Sequence, residues 1–528
     1  MKPVSQGSPP RAGGAALLVA IGILSSRVAG LVRSRVFSHY FGLQSDAADA
    51  FNAAFRIPNF LQNLFGEGVL SGSFIPVYAA LVARGERKEA DRVAGAVGAL
   101  LALGIALIVL VGILATPQLV TAIAAGFEGQ KRDLTIQIVR ILFPGAGLLV
   151  LSAWCLGILN SHHKFLLSYI APVMWNVAMI ATLLWFGGQT DLQRLAVVLA
   201  WGSVVGSLLQ FMVQLPAVLR VAPHLRLALD VASVRVREIS RNFVPVFIAR
   251  GVVQLSAFID TLIASLLPTG AVTGLANAQL LYTLPVSLFG MSVSAAELPV
   301  MAGVAATNAG YETIRGRLDS GMRRMAFFVV PSSVAFLALG DVIAAALFQT
   351  GRFGYNDAVY VWGILAGYAV GLMASTLGRL YSSGFYALKD TRTPFRCALI
   401  RVTLATSIGY FCAIHLPGWL GVDRSWGAAG LTVAAGAAGW VEMILLRNAL
   451  NSRIGTTGLP ANYVIKLWSA AIVSAAAGWA VKLNTPLVHP IVFAALVLGA
   501  FGAVFFTVTW FLGVPEAASL FNRLTRRK

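Results

Sequence analysis

Acidic side chains are scarce in this chain. Only 21 Asp and Glu stand against 40 Lys and Arg among 528 residues, and charged residues of both signs make up 12%. With 58% hydrophobic residues and a mean hydropathy of +0.78, the apolar content exceeds what a soluble protein can hide. Long polar stretches are also missing. None exceeds about 20 residues, so the net charge of +19 has no soluble domain on which to build a nucleic-acid-binding face. No nucleic-acid partner is expected.

Cysteine is nearly absent. Cys155, Cys397 and Cys412 lie in apolar runs without metal-ligand spacing and read as packing residues. The six histidines are scattered, His162 and His163 fall in one turn, and no pair has metal spacing on a helix face, which speaks against a metal site. No Walker A pattern occurs, which speaks against ATP hydrolysis by this chain. No cofactor is expected, and a transporter is expected instead of an enzyme.

What the chain does have is apolar runs about 20 residues long, the length that crosses a bilayer as a helix. The expected fold class is an all-α polytopic membrane protein of about 14 transmembrane helices, two six-helix lobes around a central cavity plus two extra C-terminal helices. The spans fall near 15–41, 48–83, 93–115, 133–159, 165–187, 192–219, 240–267, 272–306, 324–349, 357–385, 395–416, 426–449, 462–482 and 489–513, with breaks expected at Pro58 and Pro76. The domains follow: a cytoplasmic tail 1–14, an N-terminal lobe 15–219, a basic connector 220–239, a C-terminal lobe 240–450, helices thirteen and fourteen in 451–515, and a basic tail 516–528. The N-terminal segment reads as a retained tail and first helix, because Arg27 interrupts the apolar run and no small-residue cleavage site follows.

Charge in the loops gives an independent count. Arg84, Arg87, Lys88 and Arg92, the arginines from Arg220 to Arg241, those from Arg315 to Arg324, and Arg523 to Lys528 all fall on one side of the fourteen-span scheme. The other side holds only a few, such as Lys131, Arg132, Arg352, Arg424 and Lys482. By the positive-inside rule both termini are cytoplasmic.

The stretch from Leu24 to Pro76 is apolar yet carries Arg27, Arg33, Arg35, Asp49, Arg56 and Glu67. A lipid-facing arginine at mid-bilayer costs roughly 2.5 to 3.5 kcal/mol, so these groups are expected to face a polar cavity, one another or an anionic ligand. Arg35, near a helix end, also suits a snorkelling role. Two spans echo one another: Pro58 is followed by LFGEGVLSGSFIPV, and Pro285 by SLFGMSVSAAELPV. An ancient duplication would produce this echo, as in transporters built from two bundles with the site between them.

The segments SRVAGLVR, SDAADAF, AFRIPN, LFGEG and FIPVYA, with ALFQTGRFG and GFYALKDTRTPFR further on, resemble the MurJ (MviN) family of lipid II flippases. The resemblance covers about the whole chain and implies a fold of the MATE-like, MOP exporter kind. It also implies translocation of lipid II, or a related polyprenyl-pyrophosphate lipid, between leaflets of the bacterial inner membrane. Partners implied are that lipid, membrane lipids and peptidoglycan-synthesis proteins, with the protein a monomer. Arginine suits such a substrate because its planar fork grips phosphate oxygens bidentately and stays charged when buried.

Arg27, Arg33 and Arg56 match the family's basic cavity positions, and Asp49 its acid at the start of helix 2. Asp49 is expected to pair with Arg33 or another cavity arginine, or else to be an N-terminal acid of a helix capped by Ser45 or Asp46. Gln62, Leu280 and Thr283 stand where family members carry charges, and Arg250 is a candidate to compensate. Asp260 and Glu297, with Glu442, are the membrane carboxylates able to couple transport to an ion gradient, whereas Thr403, Thr406 and Ser407 make a poor sodium site. An exporter of another lipid-linked saccharide or small amphiphile, and a non-transporting scaffold, remain the alternatives.

The span count is directly testable. In sealed cells a membrane-impermeant thiol reagent should label cysteines introduced near Gln189 and Asn356 and should miss those near Gly85 and Asn308; labelling at the last two positions would break the count.

Overall fold

The structure is a computed structural model that describes residues 12–230, 233–304, 310–486 and 489–519, with side chains at 12–20, 66–68, 242, 244–246 and 248–257 excepted. No β-strand occurs among the described residues; the sole extended feature is an isolated bridge between Thr350 and Phe353. The chain divides into two compact units after Leu262.

The first unit contains α1 (Ala12–Phe41), α2 (Asp46–Gln62), a π-helical segment (Asn63–Leu70), α3 (Ser71–Ala83), α4 (Arg87–Leu114), α5 (Thr116–Ile123), α6 (Gly129–Ser161), α7 (Phe165–Phe186), α8 (Leu192–Val221) and most of α9 (Val234–Ser265). The second contains α10 (Ala271–Pro285), a second π-helical segment (Val286–Met291), α11 (Ser292–Val304), α12 (Gly310–Phe348), α13 (Tyr355–Ala387), α14 (Arg392–Ile414), the short α15 (Leu416–Leu420), α16 (Gly427–Ile454), α17 (Ala461–Asn484) and α18 (Pro490–Phe511).

Eleven helices among the described residues are long and apolar enough to cross a membrane. The other three expected spans fall on α1, the α2–α3 rod and α9, which are helical as well. Helical structure throughout follows from the solvent, since lipid offers no partner for an unsatisfied peptide group.

Pro58 and Pro76 do not break the second rod. Each lies inside a helix, and the irregularity falls between them, in the wide turns at Asn63–Leu70. A single proline removes one backbone donor, which neighbouring wide turns can absorb without ending the helix. The second unit repeats this arrangement: Val286–Met291 is π-helical and holds Leu288, Phe289 and Gly290, as the first π segment holds Leu64, Phe65 and Gly66.

Packing repeats as well. In the first unit α6 lies against α2, α4 and α8, while α7 packs on α8. In the second α13 lies against α10, α11, α12 and α16, while α14 packs on α16. The α13–α16 contact brings backbones together, because a Cβ on Gly371 would lie 2.4 Å from the Cα of Gly436.

Motifs of the second unit turn out to be joints. Gly351, at φ +55°, makes the tight turn between α12 and α13, with buried Phe348 and Phe353 rings 5.8 Å apart. Asp390 accepts hydrogen bonds from the backbone of Arg392 and from Thr393, whose hydroxyl lies at 2.7 Å, and pairs with Arg453 of α16 at 2.8 Å. The Thr393 hydroxyl, the Thr393 amide and then the guanidinium hold its carboxyl down at about 2.

Helices α17 and α18 pack on α12, which has a non-helical residue at Leu339. Two indoles take up carbonyls around this kink: Trp362 donates to Phe336 and Leu337, each at 3.1 Å, and Trp479 to Ala338 at 2.9 Å. Just beyond it, buried Asp341 accepts from Tyr355 and pairs with Lys482 of α17 at 2.6 Å. The connector is strapped to α4 in turn: Arg92 meets Asp230 at 2.6 Å, Asp91 accepts from the His224 amide at 3.0 Å, and a Cβ on Gly95 would collide with the Arg226 carbonyl oxygen.

Crowding at the α13–α16 contact sets a stability prediction. Gly371→Val should lower the melting temperature of the purified protein, since overpacking costs about 1–3 kcal/mol and here the obstacle is backbone. Gly499→Val on α18, where a Cβ meets nothing within 4 Å, should leave it unchanged. Equal melting for the two variants would contradict the close approach.

Candidate functional site

Several of the first unit's charges within apolar runs are carried by α1 and α2. Ser45 caps α2, its hydroxyl accepting from the Ala48 amide at 3.0 Å, and Asp46 and Asp49 occupy the first turn, where the helix dipole favours acids. Asp49 is almost fully buried, and Lys131 of α6, not an arginine of the expected set, lies against it at 2.9 Å among its partners. Lys131 also reaches Asp46 at 3.2 Å and lies 4.4 Å from the centre of the Phe127 ring. Lys131 fell in a loop on sequence grounds. What joins it to Asp49 is the packing of α6 on α2, which no local pattern encodes.

Arg33 meets aromatic rings. Its guanidinium carbon lies 5.0 Å from the Phe55 ring centre and 5.8 Å from that of Trp175, and those two rings stack at 5.2 Å with 13° between planes. The stack joins α2 to α7 and presents π-faces to the cation, an attraction of about 0.5–2 kcal/mol depending on desolvation. The indole of Trp175 is fixed in turn by its bonds to Ser203 on α8, at 3.0 and 3.1 Å. Arg33 is therefore held by three helices without a carboxylate among those contacts, which leaves its donors able to meet an anion.

Arg27 lies two turns earlier on α1 and is exposed, and Arg56 and Gln62 are half-buried on α2. Asp49 and Arg56 are seven residues apart, two turns along one face of α2, so the acid pair with Lys131 sits at one end of the helix and Arg56 about 10 Å along it. The side chains of Arg250 and Glu67 lie outside the described residues.

In the second unit, Glu297 of α11 is buried, with Arg317 and Arg324 of α12 at 3.8 and 3.7 Å. Asp260, on α9 of the first unit, is half-buried. Thr283 turns its hydroxyl to the Gln279 carbonyl of its own helix at 2.7 Å and so takes no part in a polar cluster. A pair that sequence reading missed is Arg401 of α14 with Glu442 of α16, at 2.9 Å. The signal was present as a lone arginine inside the apolar run CALIRVTLATSIGYF. Nearby, Tyr282 stacks on Tyr368 at 4.7 Å and donates to Ser375 at 2.7 Å. A cavity of about 870 Å³ opens in this unit, with Ser292, Asp319, Arg323 and Glu516 as polar walls and Phe289 and Phe327 as apolar ones.

Burial of Asp49 puts weight on the cation beside it. Lys131→Ala, which removes a cation facing both Asp46 and Asp49, should lower the melting temperature, and adding Asp49→Asn to it should recover part of the loss. Melting temperatures of the two single variants and the double variant give the coupling; an additive double variant would mean that the pair is not what holds α6 to α2.

A family model described as lipid II flippase MurJ matches residues 37–514. A lipid II flippase MurJ of Burkholderia cenocepacia is 32% identical over 521 residues, covering 95% of this chain and 98% of its own length. A probable lipid II flippase MurJ of Haemophilus influenzae is 29% identical over 472 residues, covering 86% and 90%. Among solved structures, a lipid II flippase MurJ in an inward closed conformation superposes with a TM-score of 0.76 over 94% of this chain and 98% of its own, at 22% identity. An inward-facing MATE family multidrug transporter of the MOP superfamily gives 0.65 over 83% and 98%, at 16% identity, which extends the likeness of fold to that superfamily. With a family model matched over residues 37–514 and a relative 32% identical across nearly the whole of both chains, the chain belongs to the lipid II flippase MurJ family.

Proposed function

We propose that this protein moves lipid II from the inner to the outer leaflet of the bacterial plasma membrane by alternating access, as a multi-pass monomer of fourteen spans with both termini cytoplasmic. Membership of the flippase family across nearly the whole chain carries the reading. Arg27, Arg33 and Arg56 are its pyrophosphate ligands, with Arg250 as a fourth. Support comes from Arg33, whose cation rests on Phe55 and Trp175, so an arriving phosphate need not first break an ion pair with Asp49. A guanidinium fixed in advance loses little freedom on binding and offers two parallel donors to one phosphate.

Asp49 serves this site indirectly. By holding Lys131 it anchors α6 to the first turn of α2, which positions the face that carries Arg56. Coupling to an ion gradient falls to the intramembrane carboxylates Asp260 and Glu297. Glu297 supports this because proton uptake there would remove the charge that faces both Arg317 and Arg324. Proteins of peptidoglycan synthesis are the expected neighbours in the cell.

Complementation tests the site. In a bacterium depleted of its own lipid II flippase the unchanged chain should restore growth, and Arg27→Ala or Arg33→Ala should abolish rescue at undiminished membrane abundance. Gln62→Arg, which adds a charge on a half-buried face of α2, should insert normally and bind a polyprenyl pyrophosphate more tightly, with added salt reducing the gain. Rescue by both alanine variants would remove the arginines from the transport path.

A further inference from the structure

On the outer surface of the first unit, α6 and α8 border a groove of about 480 Å³ lined by Asp133, Ile136, Gln137, Arg140, Ile141 and Trp201. Asp133, Gln137 and Arg140 are exposed, and Trp201 keeps 54% of its surface open. No hydrogen bond or ion pair among the described residues engages these four side chains. Spacings of four and seven residues put all three polar groups of α6 on one stripe.

Depth in the bilayer follows from the apolar runs. After Arg140, α6 continues through Ile141–Ser161 without a charged residue, a stretch of bilayer length, so Arg140 is the first charge at the membrane boundary. On α8 the apolar run begins just after Arg194, and Trp201 stands about two turns inside it, the level at which indoles gather in membrane proteins. The groove thus opens where lipid headgroups meet acyl chains. An exposed arginine there needs an anion or water, and a carboxylate two turns nearer the helix start argues against a ligand that is only anionic.

We propose that this groove binds the headgroup of a zwitterionic aminophospholipid, with Arg140 on its phosphate, Asp133 on its primary ammonium and Trp201 against its glycerol and first acyl carbons. The order of charges agrees with a lipid in a leaflet. A helical side chain leans toward the helix N-terminus, which carries the guanidinium roughly one turn up from Arg140 and leaves about 5 Å to the carboxylate of Asp133. A two-carbon ethanolamine bridge spans a comparable distance between phosphate and nitrogen. Phosphate then sits deeper and ammonium nearer water, the order in which a phospholipid presents them. A choline headgroup carries a cation without an N–H, and a glycerol headgroup donates only from neutral hydroxyls, so neither offers Asp133 a charged hydrogen-bond donor. This site is separate from the pyrophosphate arginines of α1 and α2 and does not depend on which way the protein faces.

Native mass spectrometry of the purified full chain, with phosphatidylethanolamine, phosphatidylglycerol or phosphatidylcholine of identical acyl chains added, tests the assignment. Phosphatidylethanolamine should be retained about tenfold more tightly than either other lipid, the effect of one charge-assisted hydrogen bond. Asp133→Asn should level the three lipids, and Arg140→Gln should weaken all of them. Asp133 lies on an exposed face near the start of α6, so its variant decides the matter even where Arg140→Gln inserts poorly. Phosphatidylglycerol bound as tightly as phosphatidylethanolamine by the unchanged chain, or a preference that survives Asp133→Asn, would overturn the proposal.

Discussion

An ionised group inside a bilayer is stable only where something compensates it, and this requirement shapes the protein more than any other. Asp49 shows the structural solution: it is buried and paired to Lys131, and the pair fastens α6 to the start of α2. Arg33 shows another, resting on the faces of Phe55 and Trp175 with no carboxylate among those contacts. One unit thus holds its charges in two different ways. Among the described residues of the second unit three carboxylates have cationic partners: Glu297 faces two arginines, Glu442 pairs with Arg401 and Asp341 with Lys482.

Much of the architecture was legible because lipid leaves few choices. Apolar runs of bilayer length read as helices, and their bounds fell within a few residues of α4, α6, α7, α8, α13, α14, α16, α17 and α18. The charged rods were legible too, since α1 and α9 remain helical although arginines interrupt their apolar runs. Proline misled at Pro58 and Pro76, where a missing donor was read as a break although the helix continues and widens a turn away.

Side-chain partners were the least legible level. That Asp49 needs a cation follows from its chemistry, but Lys131 is 82 residues away and belongs to another helix, so only packing could name it. The same holds for Arg401 and Glu442. Motifs also divide by role once placed: those of α1 and α2 carry polar groups at membrane depth, whereas Gly351 and Asp390 mark a tight turn and a helix start. Resemblance in the second unit therefore reports chiefly on how the chain turns.

The paired wide turns carry a history as well as a geometry. A π-helical turn holds more residues than the α-helical turn it replaces, so it records an insertion that the helix kept instead of expelling. Both units hold it on Leu-Phe-Gly, at Leu64 and at Leu288, within the rod that packs on α6 in one case and on α13 in the other. From there to the following Pro-Val is twelve residues in the first unit (64 to 76) and eleven in the second (288 to 299), and the π segment is correspondingly longer in the first, 8 residues against 6. Two independent insertions on the same three residues are a poor account of this. On the duplication that the sequence echo implies, the wide turn was already part of the segment that was doubled.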